Sequence, residues 1–174
     1  NDMVLLLANG ESGSENITPD HPDWPVFISL VSSVCEDLAK KIARDGEGAT
    51  KLIEVQVEQA ASKEDARVLA KTVVGSSLVK TAIFGTDANW GRIIAAMGRS
   101  GVSFNPDKVD IYLGDILLLK EGTPILFSEE EAKAYLENST VCIKTVLKAG
   151  AANGTAWGCD LTYDYVKINA SYRT

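Results

Sequence analysis

Apolar positions at Phe27, Ile28, Val31, Val34, Cys35, Leu38 and Ile42 recur at the i, i+3, i+4, i+7 spacing of an amphipathic helix. Lys40, Lys41 and Arg44 stand in its last turns, where cations suit the helix dipole. A turn, Asp45-Gly46-Glu47-Gly48-Ala49, follows. The period then changes: Ile53, Val55 and Val57 alternate with polar residues, which predicts a half-buried strand over 52–58. Ser62, with Glu64 and Asp65 behind it, predicts a helix start. Its pattern runs through Val68, Leu69, Thr72 and Val73, and Gly75-Ser76-Ser77 marks close packing within or between helices before the apolar Leu78–Phe84.

Thr86 or Asp87 is expected to cap a helix through Ile93, Ile94 and Met97. Arg92 at its start suits either a carboxylate ligand or an internal salt bridge. Val109–Leu113 and Ile116–Leu119 predict a hairpin through Gly114-Asp115. Ser128-Glu129-Glu130-Glu131 is a capping box for a helix to about Asn138, its glutamates spread as solvated surface. Val141–Leu147 and Thr155–Ile168 predict two more strands, joined as a hairpin at Asn153-Gly154. In the second, Leu161, Tyr163 and Tyr165 would share one side. Strands alternate irregularly with helices and no linker divides them, so the expectation is a single α+β domain over 1–174.

Composition narrows the partners. The 174 residues carry a net charge of −7, which argues against nucleic acid or an anionic membrane surface. No run approaches a membrane span and no signal peptide is visible, so a cytoplasmic setting is expected. Three cysteines, Cys35, Cys142 and Cys159, match no metal or redox spacing. Cys35 and Cys142 read as small buried hydrophobes. His21, the one histidine, lies in the Gly/Ser/Asn/Pro-rich loop 11–25 and reads as an inert loop residue. The Gly150–Gly154 loop has no phosphate-binding spacing.

The most unusual stretch is Gly46-Glu47-Gly48. Two glycines permit positive φ or a close backbone approach, so Glu47 can reach a cleft and meet a cation. By spacing alone, a helix C-cap with a solvated Glu47 is the favoured reading. The tail through Asn169 to Arg173-Thr174 ends abruptly and is a candidate for docking into a site.

Several stretches in fixed order carry a wider resemblance: Asn1-Asp2 before an apolar run, Asp45–Lys51, Phe84–Arg92, Tyr112-Leu113-Gly114-Asp115, and Cys159–Tyr163 through Asn169–Thr174. Together they resemble the bifunctional ornithine acetyltransferases, or glutamate N-acetyltransferases, of arginine biosynthesis. In that family a precursor cleaves itself into α and β chains, and the new N-terminal threonine of β is the nucleophile. The resemblance implies that this chain is most of a β chain, in a layered α/β/β/α sandwich shared with the α chain. The threonine would lie upstream of Asn1, with no catalytic residue within the segment, and an oxyanion-hole Thr-Gly pair would come from the α chain.

It further implies ping-pong acetyl transfer from N-acetylornithine to glutamate, with acetyl-CoA a second donor in some members. No metal or organic cofactor is implied, and the assembly would be an α2β2 heterotetramer. Three of the family's substrate-binding positions fall on Glu47, Asn169 and Thr174. Against this reading stand an aminopeptidase-like relative that releases its acyl group to water, and a purely structural subunit.

Overall fold

In the computed structural model, residues 3–171 are described. They fall into two compact units, up to Asp37 and from Leu38 onward. In the first, the chain runs without regular structure to a turn closed by the His21 amide on the Thr18 carbonyl, 2.9 Å. Helix α1 (Trp24–Arg44) follows. None of its residues is buried, and Val26, Phe27, Ile28, Leu30, Val34, Leu38 and Ile42 are exposed. The predicted helix is there. Its apolar face, Cys35 included, is open, which corrects the expectation that Cys35 is buried.

The second unit holds a six-stranded mixed sheet, in the order β4-β3-β2-β5-β1-β6. The strands are β1 (Leu52–Ala60), β2 (Asp110–Leu113), β3 (Ile116–Lys120), β4 (Thr123–Pro124), β5 (Thr140–Val146) and β6 (Ala152–Cys159). Only β1 and β5 run parallel. The α+β class expected from the sequence is what the chain forms.

Alternation along the strands sorts two faces. Ile53, Val55 and Val57 of β1 stand beside Val141, Ile143 and Thr145 of β5 and beside Ala156 and Gly158 of β6. Helix α2 (Lys63–Val74) covers this side. Its Ser62 side chain accepts the Asp65 amide, the cap that the sequence predicted. A Cβ at Gly158 would lie 2.8 Å from Val74 Cγ2, and one at Gly154 2.9 Å from Ala66, so the glycines of β6 set how closely α2 approaches. Helices α3 (Ser77–Phe84) and α4 (Trp90–Gly98) add Val79, Ile83, Ile93 and Met97 to the same core.

The opposite face carries Glu54, Gln56, Glu58, Cys142, Lys144, Tyr112 and Trp157. The Trp157 indole donates to Glu54 Oε2 at 2.7 Å. From the end of α1, Lys40 Nζ lies 3.9 Å from the same oxygen and 5.1 Å from the Trp157 ring centre. Helix α5 (Glu129–Leu136) begins on Ser128, whose hydroxyl accepts the Glu131 amide. Its Tyr135 hydroxyl accepts the Cys142 amide at 3.0 Å. Cys142, expected to be buried, is half-buried. Among the described residues no helix is long and apolar enough to cross a membrane.

Three further expectations need correction. β5 and β6 are not a hairpin, since they flank β1 on opposite sides. The chain after β5 crosses the end of β1, where the Ala149 and Gly150 amides both reach the Gln59 carbonyl. Gly150 passes so near the Ala60 carbonyl that no side chain would fit, and Asn153 accepts the Gln59 amide instead of opening a turn.

The run after Cys159 is also no strand. It is helix α6 (Tyr163–Ser171), none of whose residues is buried, so no burial pattern selects a pleat. Finally, α4 is capped by Asn89, which accepts the Arg92 amide at 3.0 Å, and not by Thr86 or Asp87.

Candidate functional site

The pairing of β1 with β6 builds the place of interest. The two strands are antiparallel, with Leu52 opposite Cys159, so the start of β1 lies beside the end of β6. The glycine turn that precedes β1 therefore meets the helix that follows β6. Segments more than a hundred residues apart in the chain become neighbours through one register.

Three sets of contacts fix that junction. The buried Asp160 carboxylate accepts the Thr50 amide at 2.8 Å and the Lys51 amide at 2.9 Å, as well as the Thr50 hydroxyl. The Asp160 amide returns a bond to the Lys51 carbonyl, 3.2 Å. Thr162 does two things with one hydroxyl: it donates to the Gly48 carbonyl at 2.7 Å and accepts the Tyr165 amide at 3.2 Å. The second bond satisfies a free amide of the first helical turn, the usual work of a capping threonine.

The glycines complete the fit. Gly48 has φ +68, and a Cβ there would lie 2.7 Å from the Tyr165 nitrogen and 2.9 Å from the Asp164 carbonyl carbon. A Cβ at Gly46 would meet Cys159 Sγ at 2.6 Å. At Gly48 backbone thus lies on backbone, and neither glycine has room for a side chain.

Out of this turn Glu47 reaches Asn169, whose Nδ2 donates to Glu47 Oε2 at 2.9 Å and to the Tyr165 carbonyl at 2.9 Å. Two of the three residues expected to bind substrate are therefore in direct contact. The third, Thr174, lies outside the described residues. Both Glu47 and Asn169 are open to solvent, so the pair can meet a solute. An ionised carboxylate offers only acceptors and an amide offers both a donor and an acceptor, so the pair suits an ammonium group presented by a small molecule.

Charge nearby is mixed. Lys51 Nζ donates to the Ile83 carbonyl at 2.9 Å. Burial holds its ammonium below the ordinary lysine range, an effect opposed by Asp160 and Glu137. Lys41, Ile42, Arg44 and Asp45 line an open hollow of about 510 Å³.

Arg92 works inside the protein. Its Nη1 donates to the Leu78 carbonyl at 2.9 Å and to Thr81 Oγ1 at 3.3 Å, tying α4 to α3. His21 accepts the Asp23 amide through Nδ1 within its own loop. Among the described residues no three His, Cys, Asp or Glu side chains are placed to hold a metal ion.

Sequence reasoning missed Asp160 and Thr162, because a strand was expected through both. A signal was present: threonine followed two residues later by Asp164 is a helix start of the same kind recognised at Ser62 and Ser128.

Known proteins with this sequence and fold are close at hand. The "Arginine biosynthesis bifunctional protein ArgJ" of Geobacillus kaustophilus (strain HTA426) is 60% identical over 174 residues, all of this chain and 42% of that protein. The protein of the same name from Bacillus subtilis (strain 168) is 59% identical, with 43% of its length covered. A crystal structure of the arginine biosynthesis bifunctional protein argJ from Bacillus halodurans superposes with a TM-score of 0.95 at 58% identity, covering 99% of this chain and 81% of that one. The chain spans about two-fifths of the length of the curated relatives it matches. The pattern of the ArgJ family matches residues 1–174 from end to end, and with identities of this order the chain belongs to the ArgJ family.

Proposed function

We propose that these residues form the amine-recognising part of an enzyme that moves an acetyl group from N-acetylornithine to glutamate. The observation that carries this reading is the contact of Glu47 with Asn169 at 2.9 Å, in a chain of the ArgJ family. N-acetylornithine keeps one free ammonium, on its side chain, and that group is what a carboxylate beside an amide can hold. Thr174, outside the described residues, is the third member of this proposed set and offers a hydroxyl.

The reaction runs in two halves. A threonine hydroxyl attacks the acetyl carbonyl, with its own α-amino group as base, and forms an acetyl ester while the C–N bond breaks. The departing ornithine amine takes the proton. The amine of glutamate then attacks the ester and restores the hydroxyl. Backbone and hydroxyl donors of a Thr-Gly pair stabilise the tetrahedral oxyanion.

The nucleophile and that pair lie in the part of the precursor outside these residues. The reaction as written draws on no metal or organic cofactor, and acetyl-CoA can replace N-acetylornithine as donor where the acetyl ester is reached from a thioester. Two facts support a working unit larger than this segment. The same stretch makes up 42% of a full-length relative and 81% of a crystallised chain, as a precursor cut in two would give. In addition, α1 leaves its apolar face open, and a second chain is what such a face fits in the proposed α2β2 assembly.

The test is acetyl exchange by the full-length processed protein. With N-acetylornithine and isotopically labelled glutamate, labelled N-acetylglutamate is expected, together with one ornithine for each acetyl moved. Free acetate without an acetylated amine would replace this reading with a hydrolase. Mass spectrometry of the two processed chains should also find a threonine at the N-terminus of the chain that contains Glu47.

A further inference from the structure

We propose that Thr162 is a positioning residue for donor recognition: its single hydroxyl sets the spacing between Glu47 and Asn169. The inference rests on the functional reading above and adds to it a residue that touches no substrate.

Glu47 and Asn169 sit on separate pieces of chain, a turn before β1 and the second turn of α6. Their 2.9 Å contact is therefore no better defined than the docking of those pieces. Asn169 is itself held to its helix through the Tyr165 carbonyl. The Tyr165 amide, in turn, is held by Thr162 Oγ1 at 3.2 Å, and the same oxygen donates to the Gly48 carbonyl at 2.7 Å. A two-bond relay thus runs from the residue after Glu47, through one oxygen, to the residue whose carbonyl holds Asn169.

The neighbouring Asp160 contacts anchor Thr50 and Lys51 and hold the strand start. They do not reach the turn itself. Gly48 packs directly on Tyr165 and Asp164, and the Thr162 hydroxyl is the side-chain group that bridges the turn and the helix at that contact. Sites built this way lose function on displacements well below an ångström per contact, because hydrogen bonds weaken steeply with distance and angle.

The full-length processed enzyme tests this, with ping-pong kinetics separating the two half-reactions. Thr162→Val keeps the shape and removes the hydroxyl. It is expected to lower kcat/KM for N-acetylornithine about tenfold, the loss of one well-placed bond to a charged group, while kcat/KM for glutamate stays within about twofold. Thr162→Ser, which keeps the hydroxyl, should restore the donor value. In a Glu47→Ala background, Thr162→Val should add almost nothing, since the residue acts through Glu47.

An unchanged donor kcat/KM in a folded Thr162→Val enzyme overturns the proposal and leaves the role of Glu47 standing. So does an equal loss in both half-reactions, or a full tenfold loss on top of Glu47→Ala, since either marks a merely structural residue. A Glu47→Ala enzyme with unchanged donor kcat/KM overturns the functional reading itself, and the positioning role with it. Should the valine variant not fold, Thr162→Ala carries the same comparison with less bulk.

Discussion

Glu47 and Asn169 pose a problem of sign that a single residue can test. The donor's side chain ends in an ammonium and the acceptor's in a carboxylate, and both pass through the same acetyl-enzyme in the proposed cycle. A carboxylate at Glu47 favours the first and repels the second. Glu47→Ala is therefore expected to cut kcat/KM for N-acetylornithine by about 10- to 100-fold, from loss of a charge-assisted hydrogen bond, and to leave that for glutamate unchanged or raised. Steady-state kinetics with each substrate varied in turn decides it.

Cys142 offers a second check on a side chain. Burial, with Glu54 nearby, pushes its thiol up to about 11. Only the thiolate is nucleophilic, so in the folded protein alkylation of Cys142 at pH 9 should be far slower than for an ordinary thiol and should rise only near pH 11. By linkage the raised value stabilises the fold fully below pH 9, and that contribution is lost as pH climbs through 11. Mass-resolved alkylation rates across this range provide the measurement.

At the scale of elements, what could be read from the sequence followed periodicity and capping. α1, β1, α2, the β2–β3 hairpin and α5 stand where the alternation of residues and the Ser62 and Ser128 caps placed them. The failures share a cause. Leu161 to Ile168 alternates well enough for a pleat, but from Tyr163 on nothing buries it, and the Thr162 cap decides for a helix. Asn153-Gly154 looks like a hairpin turn, yet β5 already has β2 and β1 as neighbours, so β6 goes to the far side of β1.

The junction so formed depends on Asp160. Asp160→Ala would leave the part-buried Thr50 and Lys51 amides without the buried carboxylate that accepts them. The expected loss is about 3 kcal/mol, seen as a lower urea midpoint at unchanged slope. Thr162→Val is expected to spare the glutamate half-reaction, whereas this change should lower both half-reactions along with stability.

For the whole molecule, the glycine turn was legible as a place of close approach but not as a site, since spacing alone favours a helix end with a solvated glutamate. Only the combination of distant stretches identified the family, and only the fold brings Asn169 to Glu47. Thr174, the third residue of the proposed substrate set, is tested at this scale as well. Removal of Thr174 alone is expected to lower acetyl transfer at least tenfold, by the same loss of a bond to a charged group, and to move the melting temperature by less than about 2 °C, as for a change worth well under 1 kcal/mol of stability. Parallel assays of activity and thermal unfolding separate those effects.

The antiparallel seam between the first and last strands has a consequence for timing. A turn at residue 47 and a helix at residue 163 meet through the pairing of β6 with the edge of β1 that β5 leaves vacant, a contact that spans more than a hundred residues of chain. Closing so long an excursion is entropically slow. The contact of Glu47 with Asn169 is thus expected among the last that a newly made chain completes, and under the proposed function a half-folded molecule would have no affinity for the donor.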